Sequence, residues 1–244
     1  MVKKKRRLKE IEQRGNTFVE DITSVISHDI RTPISSLNSI IEFLEDESLS
    51  SDDRREILSR MKETTSGIEF LVHDILNWIN LSKGEVKYSP QSVDLVDELE
   101  SSIERFRAFI PLDKDIEILF NSKLDKLPVN VDMKMLRTVF RNITMNTFRY
   151  LPKQGVVHCN LKSIEEHVEI EICDNGCGMS PKQIELLMKK KKQASYIESL
   201  DQGVGIGLQI CMSFMDIMKG ELKVDSKQGI GTTFTIILDK NNGQ

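Results

Sequence analysis

At 244 residues the chain is long for a single core and fits two modest domains. Hydrophobic residues make up 39% of it and charged residues 30%, which excludes a disordered tail or a membrane-embedded bundle and points to soluble globular domains. The net charge of −4 argues against a nucleic-acid binder, which carries a basic excess. Cys159, Cys173, Cys177 and Cys211 form no paired zinc pattern and read as free thiols. No apolar run approaches the ~20 residues needed to span a bilayer. The basic opening Lys3-Lys4-Lys5-Arg6-Arg7 fits either a solvated helix start or the cytoplasmic flank of a membrane anchor outside this chain.

The first expected element is a long helix from about Leu8 to Glu47. Ile30, Pro33, Leu37, Ile40 and Leu44 step by three and four, a heptad seam, and Pro33 should bend the helix near Asp29. Ser50 and Asp53 resemble a capping box that opens a second helix. There Ile57, Met61, Thr64, Ile68, Leu71, Ile75 and Trp78 continue the seam. Leu58, Val72 and Ile79 widen its apolar face beyond what one hairpin can bury, so the pattern predicts a homodimer that forms a four-helix bundle.

Ser82-Lys83-Gly84 marks a boundary. Beyond it the pattern predicts helices over Asp94 to Phe109, Asp132 to Tyr150 and Leu208 to Met218. Strands are expected over Asp115 to Phe120, Val156 to Leu161, Val168 to Cys173, Glu221 to Val224 and Thr232 to Leu238. Helices interleaved with strands that are joined late by short turns favour an α+β architecture, a two-layer α/β sandwich on a mixed sheet. The expected domains are a basic linker helix over 1–17, a helical hairpin domain over 18–83 and the sandwich over 84–244.

Several short motifs carry chemistry-bearing residues. His28 lies about 200° around the helix from Ile26 and from Ile30, facing water. Asp29 can orient its imidazole, and Thr32, one turn on, shares its face. An exposed histidine beside an acid is common, as His73-Asp74 shows. Asn142 and Asn146 share one face of a half-buried helix, where a carboxamide could ligate phosphate-bound magnesium or simply meet solvent. Arg149 could neutralise phosphate and Tyr150 could stack on a base. Asp174-Asn175-Gly176-Cys177-Gly178 follows an apolar strand, so Asp174 could receive an amino donor while Gly176 and Gly178 permit close approach. Gly203, Gly205 and Gly207 lead into a helix, the layout of a phosphate cradle. No βαβ unit opens there, which excludes a Rossmann fingerprint.

The order is specific where the single motifs are not. Ser27-His28-Asp29-Ile30-Arg31-Thr32-Pro33, the two-asparagine helix, both glycine loops and Gly229-Ile230-Gly231-Thr232-Thr233-Phe234 together resemble the sensor histidine kinase family of two-component systems. That resemblance implies a Bergerat-type ATP-binding sandwich, ATP and Mg2+ as ligands, and His28 as the phosphoacceptor. It implies Asn146 as the metal ligand with Asn142 beside it, Asp174 as adenine reader, Gly176 and Gly178 around the base, and Gly203, Gly205 and Gly207 around the phosphates. It further implies transfer to a response-regulator receiver domain in a separate chain, and a whole protein at the inner face of the cell membrane with a sensor region outside this sequence. An acid after the histidine and Thr32 four residues on imply partner dephosphorylation as well. One departure stands out: Leu186 to Lys192 reads LLMKKKK, without the Phe-containing box usual in the family's lid. A nucleotide-binding module acting mainly as phosphatase or scaffold is therefore the alternative. A chaperone-type or mismatch-repair-type ATPase would lack the upstream histidine hairpin.

Overall fold

The structure, a computed structural model, describes residues 33–44, 49–111, 113–189 and 206–241. They fall into two compact units that divide between Leu76 and Asn77. The stretches on which His28, Asp29, Thr32, Gly203 and Gly205 were expected, with most of the lysine-rich lid, lie outside the described residues.

In the first unit, residues 33–44 form a helix (α1), and Ser51–Lys83 a second one (α2) whose last turns belong to the second unit. The cap of α2 is the anticipated pairing with a twist. Asp53 N–H donates to Ser50 Oγ at 3.1 Å, while the Ser50 hydroxyl donates to the Asp53 carboxylate at 2.6 Å. The shorter Asp reaches the hydroxyl instead of the backbone amide that a Glu would take. The seam residues Ile57, Met61, Ile68 and Leu71 are half-buried, whereas Leu58, Val72 and Leu76 are exposed.

The second unit is a five-stranded sheet under helices. Its elements are β1 (Gln91–Asp94), α3 (Leu95–Arg107), β2 (Asp115–Ser122), β3 (Pro128–Val131), α4 (Met133–Tyr150), β4 (Gln154–Ile164), β5 (His167–Asp174), α5 (Pro181–Lys189), α6 (Ile206–Ile217), β6 (Glu221–Lys227) and β7 (Gly231–Asp239). The sheet runs β2-β4-β5-β7-β6, with β2 and β4 parallel and the other pairs antiparallel. It is the mixed sheet that the sequence pattern predicts. Strict alternation buries one face: Val157, Cys159 and Leu161 on β4, Val168, Ile170 and Ile172 on β5, Phe234, Ile236 and Leu238 on β7. Against that face lie Leu99, Ile103 and Phe106 of α3, Val139, Phe140 and Ile143 of α4, and Ile210, Phe214 and Met215 of α6. The Phe106 and Phe140 rings sit 5.6 Å apart where α3 meets α4. Burial pushes the Cys159 thiol up to about 12, and all four cysteines are free.

Three short pieces were not anticipated. β1 and β3 pair antiparallel in a separate ribbon, each only four residues long and so without a readable period. Aspartates, Asp94 half-buried and Asp132 buried, cap the helices that follow them. Asp94 accepts from Val96 N–H and Leu127 N–H, and Asp132 from Lys134, Met135 and Ser89 N–H. The third piece, α5, opens on a full capping box: Ser180 N–H donates to Gln183 Oε1 at 2.8 Å, and Gln183 N–H to Ser180 Oγ at 3.4 Å. With Pro181 as its first residue, Ser180-Pro181-Lys182-Gln183 was a legible start signal. Among the described residues no helix is long and apolar enough to cross a membrane.

Candidate nucleotide site

The site gathers where the C-terminal ends of α4 and β5 meet the start of α6 and the β6–β7 turn. Asp174 ends β5 with its carboxylate split between two tasks. Oδ1 accepts from Gly176 N–H at 2.8 Å and from Thr232 N–H at 3.2 Å. Among the described residues Oδ2 accepts only from the Thr147 hydroxyl, at 3.4 Å, which leaves it acceptor capacity for a ligand's amino group. Desolvation raises the carboxyl above its ordinary 3.8, and the three hydrogen bonds only partly offset this.

The loop after Asp174 is clamped on both sides. Cys177 N–H donates to the Tyr150 carbonyl at the end of α4 (3.1 Å), and Gly229 N–H donates to the Cys177 carbonyl (2.7 Å). Met179 N–H reaches Ser226 Oγ at 2.8 Å, and that hydroxyl in turn lies 2.9 Å from Thr232 Oγ1. Both loop glycines are required by this docking. A Cβ on Gly176 would stand 2.8 Å from Asp174 Oδ1 and 2.9 Å from the Tyr150 carbonyl. Gly178 has φ +65°, and a Cβ there would lie 2.1 Å from the Lys227 carbonyl.

On α4, Asn142 is buried, and its Nδ2 donates to the Gly207 carbonyl of α6 at 3.3 Å. Asn146, one turn on, is half-buried; Arg149 and Tyr150 are exposed. Asn142 and Gly207 are thus in contact, as are Asp174, Gly176 and the Tyr150 backbone, while the Arg149 side chain meets solvent. The sequence reading missed Thr147, Ser226 and Thr232. Thr147 had a signal: with Val139 and Ile143 it completes an i, i+4 row of the buried stripe, where a polar residue stands out. Thr232 lay within the Gly229–Phe234 motif but had no role assigned to it there, and Ser226 carried no signal, because only the β6–β7 register brings the two together.

Asp174 Oδ2, in a half-buried niche with a neighbouring hydroxyl, suits the exocyclic amine of a purine. Among the described residues no group of three His, Cys, Asp or Glu side chains could hold a metal ion. Asn146 offers a neutral carboxamide oxygen, which suits a magnesium ion that brings its counter-charge as phosphate.

Residues 19–84 match the His Kinase A (phospho-acceptor) domain, and residues 131–242 match the histidine kinase-, DNA gyrase B- and HSP90-like ATPase domain. The sensor protein EvgS of Escherichia coli (strain K12) is 30% identical over 220 residues, which are 88% of this chain and 18% of EvgS. The chain therefore spans less than a fifth of that relative. Among solved structures, the Acinetobacter baumannii histidine kinase AdeS superposes with a TM-score of 0.58 at 18% identity, covering 88% of this chain and 98% of that one. The histidine kinase ThkA, solved in complex with response regulator protein TrrA, gives 0.65 at 15% identity, covering 98% and 67%. At such identities these two likenesses speak for the fold. With a phospho-acceptor domain and a histidine-kinase-like ATPase domain in one chain, in this order and on this fold, the chain belongs to the sensor histidine kinase family of two-component systems.

Proposed function

We propose that the chain is an ATP-dependent protein histidine kinase that phosphorylates its own His28 and passes the phosphoryl group to an aspartate of a separate response regulator. The observation that carries this reading is the coincidence of each family match with its chemistry. The phospho-acceptor match contains His28, and the ATPase match contains Asn142, Asn146 and an Asp174 whose Oδ2 is left open. Domain boundaries at 18–83 and 84–244, with a linker helix before them, are part of the proposal.

In this reading Asp174 Oδ2 accepts from the adenine amino group, while Gly176 and Gly178 keep the base side of the loop free of side chains. Asn146, with Asn142 behind it, faces the Mg2+-bound triphosphate, and Gly203, Gly205 and Gly207 wrap it. Arg149 adds positive charge and Tyr150 an aromatic face at the rim. Magnesium, when bound, neutralises phosphate charge. His28 Nε2 attacks the γ-phosphorus in line; the N–P bond forms as the bond to the β–γ bridging oxygen breaks, and ADP leaves. Asp29 orients Nδ1 and assists removal of the imidazole proton. Catalysis rests on positioning and charge neutralisation.

Homodimerisation is supported by the exposure of Ile34, Ile41, Leu58 and Val72 on a single hairpin. As about half of each is already covered, burying the rest would contribute roughly 1 kcal/mol apiece. The response-regulator partner is supported by the likeness to ThkA, whose complex holds one. Dephosphorylation of that partner is assigned to Thr32, and residence at the inner membrane face to a sensor region outside this sequence. The decisive experiment is incubation with Mg-ATP followed by mapping of the label: acid-labile, base-stable phosphate on His28 supports the kinase. Nucleotide binding without any label, together with accelerated decay of a phosphorylated regulator, supports the phosphatase or scaffold reading instead.

A further inference from the structure

The far end of α4 is closed by a side chain from outside the family motifs. Lys114, in the segment that leads into β2, places its ammonium 2.8 Å from the Phe148 carbonyl, 3.1 Å from that of Arg149 and 2.8 Å from that of Leu151. An ammonium has three donors, and each has an acceptor here. The last carbonyls of a helix have no partner within it. In α4 all of them are accounted for: Thr147 accepts from Leu151 N–H, Phe148 and Arg149 from Lys114, and Tyr150 from Cys177 N–H.

We propose that Lys114 is a positioning residue for the nucleotide site, which sets the α4 terminus so that the Tyr150 carbonyl holds the Asp174–Gly178 loop. The link is short. Tyr150 sits between the residues that Lys114 binds, and its carbonyl is the acceptor for Cys177 N–H. One residue before Cys177, Gly176 packs within a would-be Cβ's 2.9 Å of that same carbonyl and donates to Asp174 Oδ1. A shift of a few tenths of an ångström in the last turn of α4 therefore moves the backbone that fixes the Asp174 carboxylate. The positive charge also opposes the negative end of the helix dipole, a second reason for the turn to stay closed. Its backbone neighbour is tied in as well, since Asp115 N–H donates to the Lys153 carbonyl just beyond α4.

The inference rests on the nucleotide site proposed above, and its test keeps the two apart. Lys114→Met preserves the stem and removes charge and donors; Lys114→Arg keeps the charge. Both are compared with the unmodified chain and with Asp174→Ala by calorimetric titration with Mg-ATP, by autophosphorylation at saturating ATP, and by amide exchange at Cys177. The expected result for Lys114→Met is about a tenfold rise in Kd, on the scale of losing part of a charge-assisted cap. Faster exchange at Cys177 and a saturated rate within about twofold should accompany it, with Lys114→Arg restoring Kd to within about threefold. Should Lys114→Met not fold, Lys114→Gln, neutral and with two donors, takes its place under the same criteria. An unchanged Kd, or a Kd that rises while Cys177 exchange stays at the native rate, overturns the role of Lys114. Failure of the unmodified chain to bind Mg-ATP, or an unaffected Asp174→Ala, overturns the nucleotide site itself.

Discussion

Asn142 and Gly207 meet as side chain against backbone across α4 and α6: Nδ2 donates to the Gly207 carbonyl at 3.3 Å, and a Cβ on Gly207 would stand 3.2 Å from Asn142 Cγ. The asparagine side chain can keep its place only because residue 207 has none. Gly207→Ala should therefore push Asn142 by a few tenths of an ångström and weaken Mg-ATP binding severalfold. In a double-mutant cycle with Asn142→Ala the two changes should couple by roughly 0.5–3 kcal/mol in binding free energy. Additive effects would mean that the contact does not matter to the nucleotide.

Asp174→Ala and Asn146→Ala should each raise the Kd for Mg-ATP by at least about tenfold, or 1.4 kcal/mol. Thr147→Val, which removes only the hydroxyl 3.4 Å from Asp174 Oδ2, should change it by about threefold or less, as such a long bond is weak. Calorimetric titration separates these outcomes. Equal losses in all three variants would point to general damage of α4 rather than to a reader of the base.

The raised Asp174 carboxyl gives stability and binding opposite pH trends. In the window between its ordinary 3.8 and its raised value, the folded chain binds more protons than the unfolded one. The stability it contributes is therefore full below that window and lost as pH rises through it. Urea unfolding of the unmodified chain and of Asp174→Asn should show a difference that falls with rising pH there and then levels. Nucleotide affinity should rise over the same window, since the ionised carboxylate is the stronger acceptor for an amino donor. A flat difference would mean that the carboxyl is not desolvated.

Two glycines with nearly equal φ should respond differently to alanine. At Gly178, φ +65° combines with a carbonyl 2.1 Å from the new Cβ, and the cost should exceed about 3 kcal/mol. At Gly84, φ +67° with open space around it, about 1 kcal/mol is expected. Thermal unfolding of the two variants checks the contrast.

His28→Gln should abolish acid-labile label while leaving Mg-ATP binding within about twofold, since the histidine lies outside the residues proposed to hold nucleotide. Thr32→Ala should keep the label and slow the decay of a phosphorylated regulator, because the hydroxyl proposed for the dephosphorylation, four positions after His28, would no longer be there to hold an attacking water. Label that persists on His73 in His28→Gln would move the phosphoacceptor.

Periodicity made most of the sheet and its helices legible. β4, β5 and β7 alternate cleanly because one face is buried and the other meets solvent, and α3 and α4 begin at aspartates that cap them. Asp115–Ser122 was read two residues short, since Asn121 and Ser122 extend the ladder through pairing with β4 and not through hydrophobicity. Asp174, Asn142 and the loop glycines could be picked from spacing. Their supports could not. Ser226 and Thr232 depend on cross-strand register, and Lys114 acts on carbonyls more than thirty positions away, which no local pattern encodes.

β5 and β7 are hydrogen-bonded neighbours, Asp174 opposite Thr232, yet the chain between them passes through α5, α6 and β6. Both glycine loops lie on that excursion, and its ends are pinned by the ladder. The residues between α5 and α6, lysine-rich and without phenylalanine in sequence, lie outside the β5–β7 pairing, so a change in their number or charge leaves every rung of that ladder in place. The architecture separates what must be kept in register from what can be retuned, so turnover can diverge among proteins that share one scaffold.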